Sequence, residues 1–289
     1  MNPRNHAAPV LIALVLVTLM LGGCTVHKTT TIINPPVPEA HELMNSVLWV
    51  QTSPEYMATC RGIYDLAALR MEEALADTLW TALPGWDQTY SGLPPAVILD
   101  VDETALDNSA FEAGLITHLE EYAKPIWDAW IAKEAAPPIP GAREFIEGAH
   151  DRGVDVYFVT NRDEDTKEHT VANLRSCFGS WITDEQVLTR GERKEWRGDK
   201  TSRREYLAAT HRILLLIGDD LGDFTEAGDV PPWARLRAAE AYKDLWGTKW
   251  IMLPNPMYGT WEQALYGYDR RIDRAAKLKH KQGSLRAPD

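Results

Sequence analysis

The sequence predicts an α/β protein built on a doubly wound, mainly parallel sheet, with an additional helical subdomain. Three observations carry that prediction. Short apolar runs within 96–99, 154–159 and 212–217 have the length and density of strands buried on both faces. Segments of helical period separate the runs, and strands alternating with helices specify parallel neighbours joined by crossovers. Each run also ends on polar residues, Asp100 and Asp102, Thr160 and Asn161, Asp219 and Asp220. Those are the positions that border the ligand crevice of an open α/β sheet. A chain of 289 residues, 45% of them hydrophobic, suffices for one large domain or one domain plus a subdomain.

The elements follow in order. Arg4 precedes the apolar stretch Val10–Leu21, which closes on Leu21-Gly-Gly-Cys24. This is the pattern of a bacterial lipoprotein signal peptide spanning 1–23. The run is short of the ~20 residues that a membrane-spanning helix needs, and an uncleaved anchor is the alternative. Cleavage leaves Cys24 as a lipidated N-terminus. Thr25 follows it in place of an aspartate, which points to the outer membrane of a Gram-negative source, facing periplasm or cell surface. Residues 24–40 are rich in Thr and Pro, lack an apolar period, and read as a tether.

Residues 41–94 form an N-terminal helical segment. Ser53-Pro54 supplies an N-cap and a first helical residue. Cys60, Tyr64, Ala68, Met71, Leu75 and Leu79 continue at helical spacing, and Pro84-Gly85 closes the helix. The core is expected over 95–265, with a helical insertion at 105–138. In that insertion Pro125 starts a helix on which Trp127 and Trp130 share a face. Helices are then expected at Gly141–Arg152, Asp163–Cys177 and 202–209, with a short strand at 186–188. Lys249–Pro254 reads as an added edge strand, and a helix from Trp261 through Leu265, Tyr268, Ile272 and Ala275 packs back on the domain. Residues 266–289 form a basic helix and tail, read as a solvated end and not as a membrane contact.

Charge and cysteines narrow the class. The formal net charge is −12, and loss of the signal peptide, which holds one arginine and no acid, lowers it by one more unit. An acidic surface repels nucleic acid polymers, so a phosphate-bearing ligand must be small and met by a locally positive site. Beyond Cys24 there are only Cys60 and Cys177, for which a disulfide and two buried thiols both fit. Oligomeric state has no signature.

The chemistry centres on Asp100-Val-Asp102-Glu-Thr104 at the end of the first apolar run. In extended geometry both aspartates project to one side, which suits a nucleophile beside a general acid; a solvated acidic turn is the plainer alternative. Downstream come Thr160-Asn161, then Lys200, then Gly218-Asp219-Asp220-Leu-Gly-Asp223. In that order these resemble the four motifs of the haloacid dehalogenase (HAD) superfamily of phosphohydrolases. Leu48-Trp-Val-Gln-Thr-Ser53-Pro-Glu-Tyr56, Asp107-Asn-Ser109, Ile139-Pro-Gly-Ala142 and Asn255-Pro-Met-Tyr-Gly-Thr-Trp-Glu262 resemble the bacterial class C acid phosphatases of the lipoprotein e type, which are 5′-nucleotidases.

The resemblance implies a HAD-like, Rossmann-like sheet and a Mg²⁺-dependent acid phosphatase acting on small phosphomonoesters. It makes Asp100 the nucleophile and Asp102 the acid and base. Asp100, the Asp102 backbone carbonyl and Asp219 hold the metal. Thr160, Asn161 and Lys200 bind phosphate, and Asp223 orients Lys200 or a metal-bound water. Tyr258 stacks on a substrate base, unless it is a core tyrosine, and the insertion with Trp127 and Trp130 walls the pocket, unless those rings are core. Asp220 stands where many members have Asn, and no functional reading attaches to it. A phosphotransferase and a non-catalytic surface-binding lipoprotein are the alternatives, and Asp102 argues against the second because a binding module needs no acid or base there.

Overall fold

The computed structural model describes residues 41–85 and 92–288. The expected signal peptide, the tether and Cys24 lie outside them. Five strands form one sheet in the order β3-β2-β1-β4-β5. They are β1 (Pro95–Leu99), β2 (Asp155–Asp163), β3 (Val187–Arg190), β4 (Arg212–Gly218) and β5 (Trp250–Met252). Every neighbouring pair is parallel. The chain builds outward from β1 to β3, then returns to the other side of β1 for β4 and β5. That reversal opens a crevice at the carboxyl ends of β1 and β4, where an open α/β sheet binds its ligand.

Strand alternation divides the core into two faces. Val97 and Leu99 of β1 pack with Cys60, Tyr64 and Met71 of α2 (Pro54–Ala76) and with Phe145 and Ile146 of α5 (Ala142–Asp151). Ala96 and Ile98 face the other way, against Leu207 and Ala208 of α7 (Thr201–Ala208), Phe224 and Trp250. All seven residues of β4 are buried, as expected of a strand covered on both sides. Before α2 lies α1 (Met44–Thr52), and α6 (Lys167–Phe178) and α8 (Pro232–Ala241) complete the helical layers. The helical insertion folds as α3 (Ser109–His118) and α4 (Lys124–Ile131).

The α2 N-terminus forms as its sequence requires: Pro54 is the first residue and the Ser53 hydroxyl accepts the Tyr56 N–H at 3.0 Å. Its C-terminus comes earlier than the apolar spacing implies. Asp77 turns extended after Ala76, so Leu79 lies outside the helix and is 83% exposed, and Pro84-Gly85 occupies a later turn. The single helix expected from Trp261 is also broken, into α9 (Thr260–Gln263), a 3₁₀ turn at Ala264–Tyr266 and α10 (Arg274–Gly283). Gly267 and Tyr268 both adopt left-handed backbone there, at φ 64° and 61°. The Tyr268 hydroxyl lies 2.7 Å from the Val230 carbonyl, an anchor that helical spacing does not reveal. Cys60 and Cys177 are separate buried thiols.

Candidate active site

The end of β1 delivers Asp100, whose N–H continues the ladder to the Ile217 carbonyl at 2.9 Å. Beside it β4 ends in Gly218-Asp219. The backbone then turns so that the Asp223 carboxylate accepts the N–H groups of Asp219 and Asp220 at 3.1 and 2.9 Å. Gly218 is required here, since a Cβ on it would sit 2.5 Å from the Asp223 Cβ. As a result Asp100, Asp219 and Asp223 each bring a carboxylate oxygen within 4.8 Å of the others. Lys200, the residue preceding α7, donates to Asp100 Oδ1 and, at 2.6 Å, to Asp223 Oδ1.

One ammonium faces three carboxylates in this buried cluster. Burial, opposed by Lys200 and reinforced by Asp223 and Asp102, pushes the Asp100 carboxyl up to about 7. Burial, then Asp223 and Asp100, holds Asp219 well above the carboxylate range. Lys200 is raised despite its burial, because Asp100 and Asp223 outweigh it. Hard oxygen donors with unbalanced negative charge are the donor set that a divalent cation such as Mg²⁺ takes, so the residues present fit a metal at this position.

Asp102 points elsewhere. Its Oδ1 accepts Arg162 Nε at 3.0 Å, an Arg162 terminal nitrogen at 2.8 Å, and the Asn108 amide at 2.9 Å. Asn108 is fixed in turn by the Trp130 indole N–H at 2.8 Å. Immediately after Asp102 the chain turns sharply back. Glu103 adopts left-handed φ of 54°, buried, with its carboxylate accepting the Asn108 N–H at 2.8 Å. A non-glycine residue held in that conformation is strained, and such strain concentrates at functional sites.

Thr160 and Asn161 lie within β2, not after it, because the strand runs on to Asp163. Thr160 is fully buried, and its hydroxyl accepts the Arg162 N–H at 3.0 Å. The guanidinium of Arg203, itself fully buried, clamps both residues: it donates to the Thr160 carbonyl and, at 2.7 Å, to Asn161 Oδ1. Asp219 is steadied by the Thr104 hydroxyl at 3.1 Å and the Asn255 amide at 2.9 Å. Asp220 ties the loop to α9, accepting the Gly222 and Thr260 N–H groups at 2.9 and 2.8 Å.

Over this cluster opens a cavity of about 630 Å³, with Asp100, Asp102, Asn161, Lys200 and Asp219 in its wall. Phe111, Tyr122, Trp127, Tyr258 and Tyr266 form its aromatic part. Phe111 meets Trp127 edge to face, with ring centroids 4.9 Å apart, and the Arg162 guanidinium lies over Trp127 at 5.5 Å. Tyr258 is half-buried, packed on the core along one side and open to the cavity on the other. Trp130 does not line it and instead anchors Asn108. Of the residues that the sequence nominated, Asp100, Asp102, Asn161, Lys200, Asp219, Asp223, Trp127 and Tyr258 share the cavity wall, whereas Thr160 is fully buried beside it and Trp130 lies behind it. Arg162, Asn108, Arg203 and Asn255 are additions. Only Arg162 had a readable signal, since strand alternation puts it on the same side as Thr160.

A parallel sheet with strand-end carboxylates around one buried lysine, under a helical cap, is the arrangement of the HAD superfamily. The chain belongs to subfamily IIIB of that superfamily, the acid phosphatase subfamily, whose model matches residues 23–261. It is similar to the class C acid phosphatase of Bacillus anthracis, at 34% identity and a TM-score of 0.76 over 86% of this chain and 98% of that one. A structure of that enzyme with tungstate bound matches at 32% identity and a TM-score of 0.75, with the same coverage. Among curated proteins it is 26% identical over 166 residues to acid phosphatase 1 of Solanum lycopersicum and 26% identical over 167 residues to the stem 31 kDa glycoprotein of Glycine max. Those matches take in 56% of this chain, and only 57% and 58% of the two relatives.

Proposed function

We propose that this chain is a Mg²⁺-dependent acid phosphatase that hydrolyses small phosphomonoesters through an aspartyl-phosphate on Asp100. The observation that carries this reading is the buried Asp100–Lys200–Asp223 chain of ion pairs beside Asp219, in the wall of the cavity. Asp100 and Asp219, with the Asp102 backbone carbonyl, would hold the metal, which when bound supplies charge neutralisation for a phosphate dianion. The remaining steps belong to side chains. Lys200 opposes the effect of burial on Asp100 and aims its carboxylate. Asp100 attacks phosphorus as the P–O bond to the alcohol breaks, and the departing oxygen takes the Asp102 proton. Asp102 then removes a proton from the water that attacks the phosphoenzyme, releasing phosphate and restoring Asp100. Thr160 and Asn161 provide polar groups for the phosphate oxygens and Arg203 fixes their position. Tungstate, a phosphate-like oxyanion, bound to the Bacillus anthracis relative supports this assignment.

The same reading makes nucleoside 5′-monophosphates the preferred substrates. Phe111, Trp127 and Tyr258 offer ring faces and edges in one cavity, and stacking of a base on such a ring is worth ~1–3 kcal/mol. The proposal predicts metal-dependent turnover of p-nitrophenyl phosphate that EDTA abolishes and Mg²⁺ restores, with AMP or nicotinamide mononucleotide exceeding a sugar phosphate in kcat/KM. Turnover that survives EDTA would remove the metal, and a flat substrate panel would remove the nucleotide preference.

Localisation to the outer membrane through lipid on Cys24 is part of the proposal, supported by the Val10–Leu21 run and the small residues before the cysteine. Cys24→Ser should abolish labelling by a palmitate analogue and release the protein from membranes. Labelling that persists would rule the anchor out.

A further inference from the structure

One acid in the cavity wall has no part in the chemistry above. Glu112 lies in the first turn of α3, one turn beyond Asn108, whose amide holds Asp102. It is only 6% exposed and lines the cavity. Its carboxylate takes no hydrogen bond and no ion pair among the described residues. The neighbouring charge, Glu262, has the same sign and is itself paired with Lys281. Buried polar groups in folded proteins have partners as a rule, and an exception asks what else satisfies it. Here the open side of Glu112 is the cavity.

The surroundings define what would fit. Phe111 and Leu115 line the cavity from the same helix, so α3 presents a ring, a carboxyl group and an aliphatic side chain together. A cationic group would meet Arg274, Lys277 and Lys281, which line the same cavity. A neutral N–H or O–H donor meets no such opposition, and it hydrogen-bonds a carboxyl group in either protonation state. Burial, then Glu262, pushes Glu112 up to about 7, so an acid phosphatase working below neutrality would present this group largely uncharged.

We propose that Glu112 is a specificity residue that accepts a hydrogen bond from an O–H or N–H of the leaving group, remote from the phosphate, and thereby selects esters carrying such a donor. This rests on the cavity being the phosphomonoester site. In a nucleotide the donor is a sugar hydroxyl or the exocyclic amine of the base, and paired substrates separate them. The measurements are kcat/KM for AMP, 2′,3′-dideoxy-AMP and purine riboside 5′-monophosphate, and for ribose 5-phosphate against its 2,3-dideoxy analogue, in wild type, Glu112→Leu and Glu112→Gln.

Wild type should favour the donor-bearing member of one pair by about tenfold, Glu112→Leu should bring that ratio close to one, and Glu112→Gln, which keeps an acceptor, should retain most of it. A ratio of rates on one preparation does not depend on how much of a variant folds. The inference is overturned if wild type shows no such ratio in any pair, or if Glu112→Leu leaves the ratio within about twofold of wild type. Failure of the underlying reading would look different: no metal-dependent turnover of any ester, p-nitrophenyl phosphate included, and both would fall together.

Discussion

The two walls of the cavity are built on opposite principles. On the sheet side nearly every polar group is spoken for: Lys200 joins Asp100 to Asp223, Arg162 and Asn108 hold Asp102, and Asn255 and Thr104 hold Asp219. On the helical side the groups are loosely committed. Among the described residues the Glu112 carboxylate has no hydrogen-bond or ion-pair partner, and Tyr122 is 62% exposed. No residue of α10 is buried, and ion pairs such as Arg274–Glu42 at 2.7 Å and Lys277–Glu121 at 3.3 Å tie it down. Partly exposed pairs of that kind contribute at most about 1 kcal/mol each. The difference follows from what each wall must do. Transition-state charge is stabilised by dipoles and ions that need no rearrangement, whereas a recognition wall keeps free hydrogen-bonding capacity for its ligand.

If that division holds, the largest loss comes from the sheet side. Asp100→Asn keeps the shape of the side chain and cannot attack phosphorus, so kcat should fall by at least about 10³-fold with the fold intact. A smaller loss, with contaminating activity excluded, would mean that Asp100 is not the nucleophile. Arg162→Ala tests the next layer. It removes the guanidinium that touches Asp102 at 2.8 Å and should cost about 10²-fold in kcat on alkyl phosphates, less on p-nitrophenyl phosphate, whose leaving group needs little protonation. Added guanidinium should recover part of the rate. Equal losses on both esters, without rescue, would make Arg162 a structural residue only.

How much of this could be read from the chain depended on how local each signal was. β1 and β4 are continuous apolar runs ending in acids, so strand, orientation and site were visible within ten residues. Ser53-Pro54 marked its helix start for the same reason, since a cap is a property of adjacent residues. What stayed hidden needed contacts between distant segments. Asn255 reaches Asp219 across 36 positions and Arg203 reaches Thr160 across 43. The helical period carried on past Ala76 to Leu79 and past Tyr266 to Ala275, because apolar spacing does not report where backbone turns left-handed or extended. Glu112 was unreadable for another reason: one acid on a helix looks solvated until the fold buries it.

The smallest effect tests the helical wall without reference to catalysis. Burial first, then the neighbouring Glu262, raises the Glu112 carboxyl from 4.5 to about 7 in the folded protein. Between those values the folded chain binds more of this proton than the unfolded chain does, so its contribution to stability is fully present below 4.5 and is lost as pH rises toward 7. A shift of that size corresponds to about 3 kcal/mol. Glu112→Gln replaces the acid with a neutral group of the same shape and cannot pay this ionisation cost. The variant should therefore match wild type in acid and exceed it by up to about 3 kcal/mol above neutrality, seen as a gap in thermal midpoint that opens with pH. A gap that stays constant from acid to neutral pH would show that Glu112 is already satisfied in the folded protein, and the contrast between the two walls would then fail at the one residue on which it depends most.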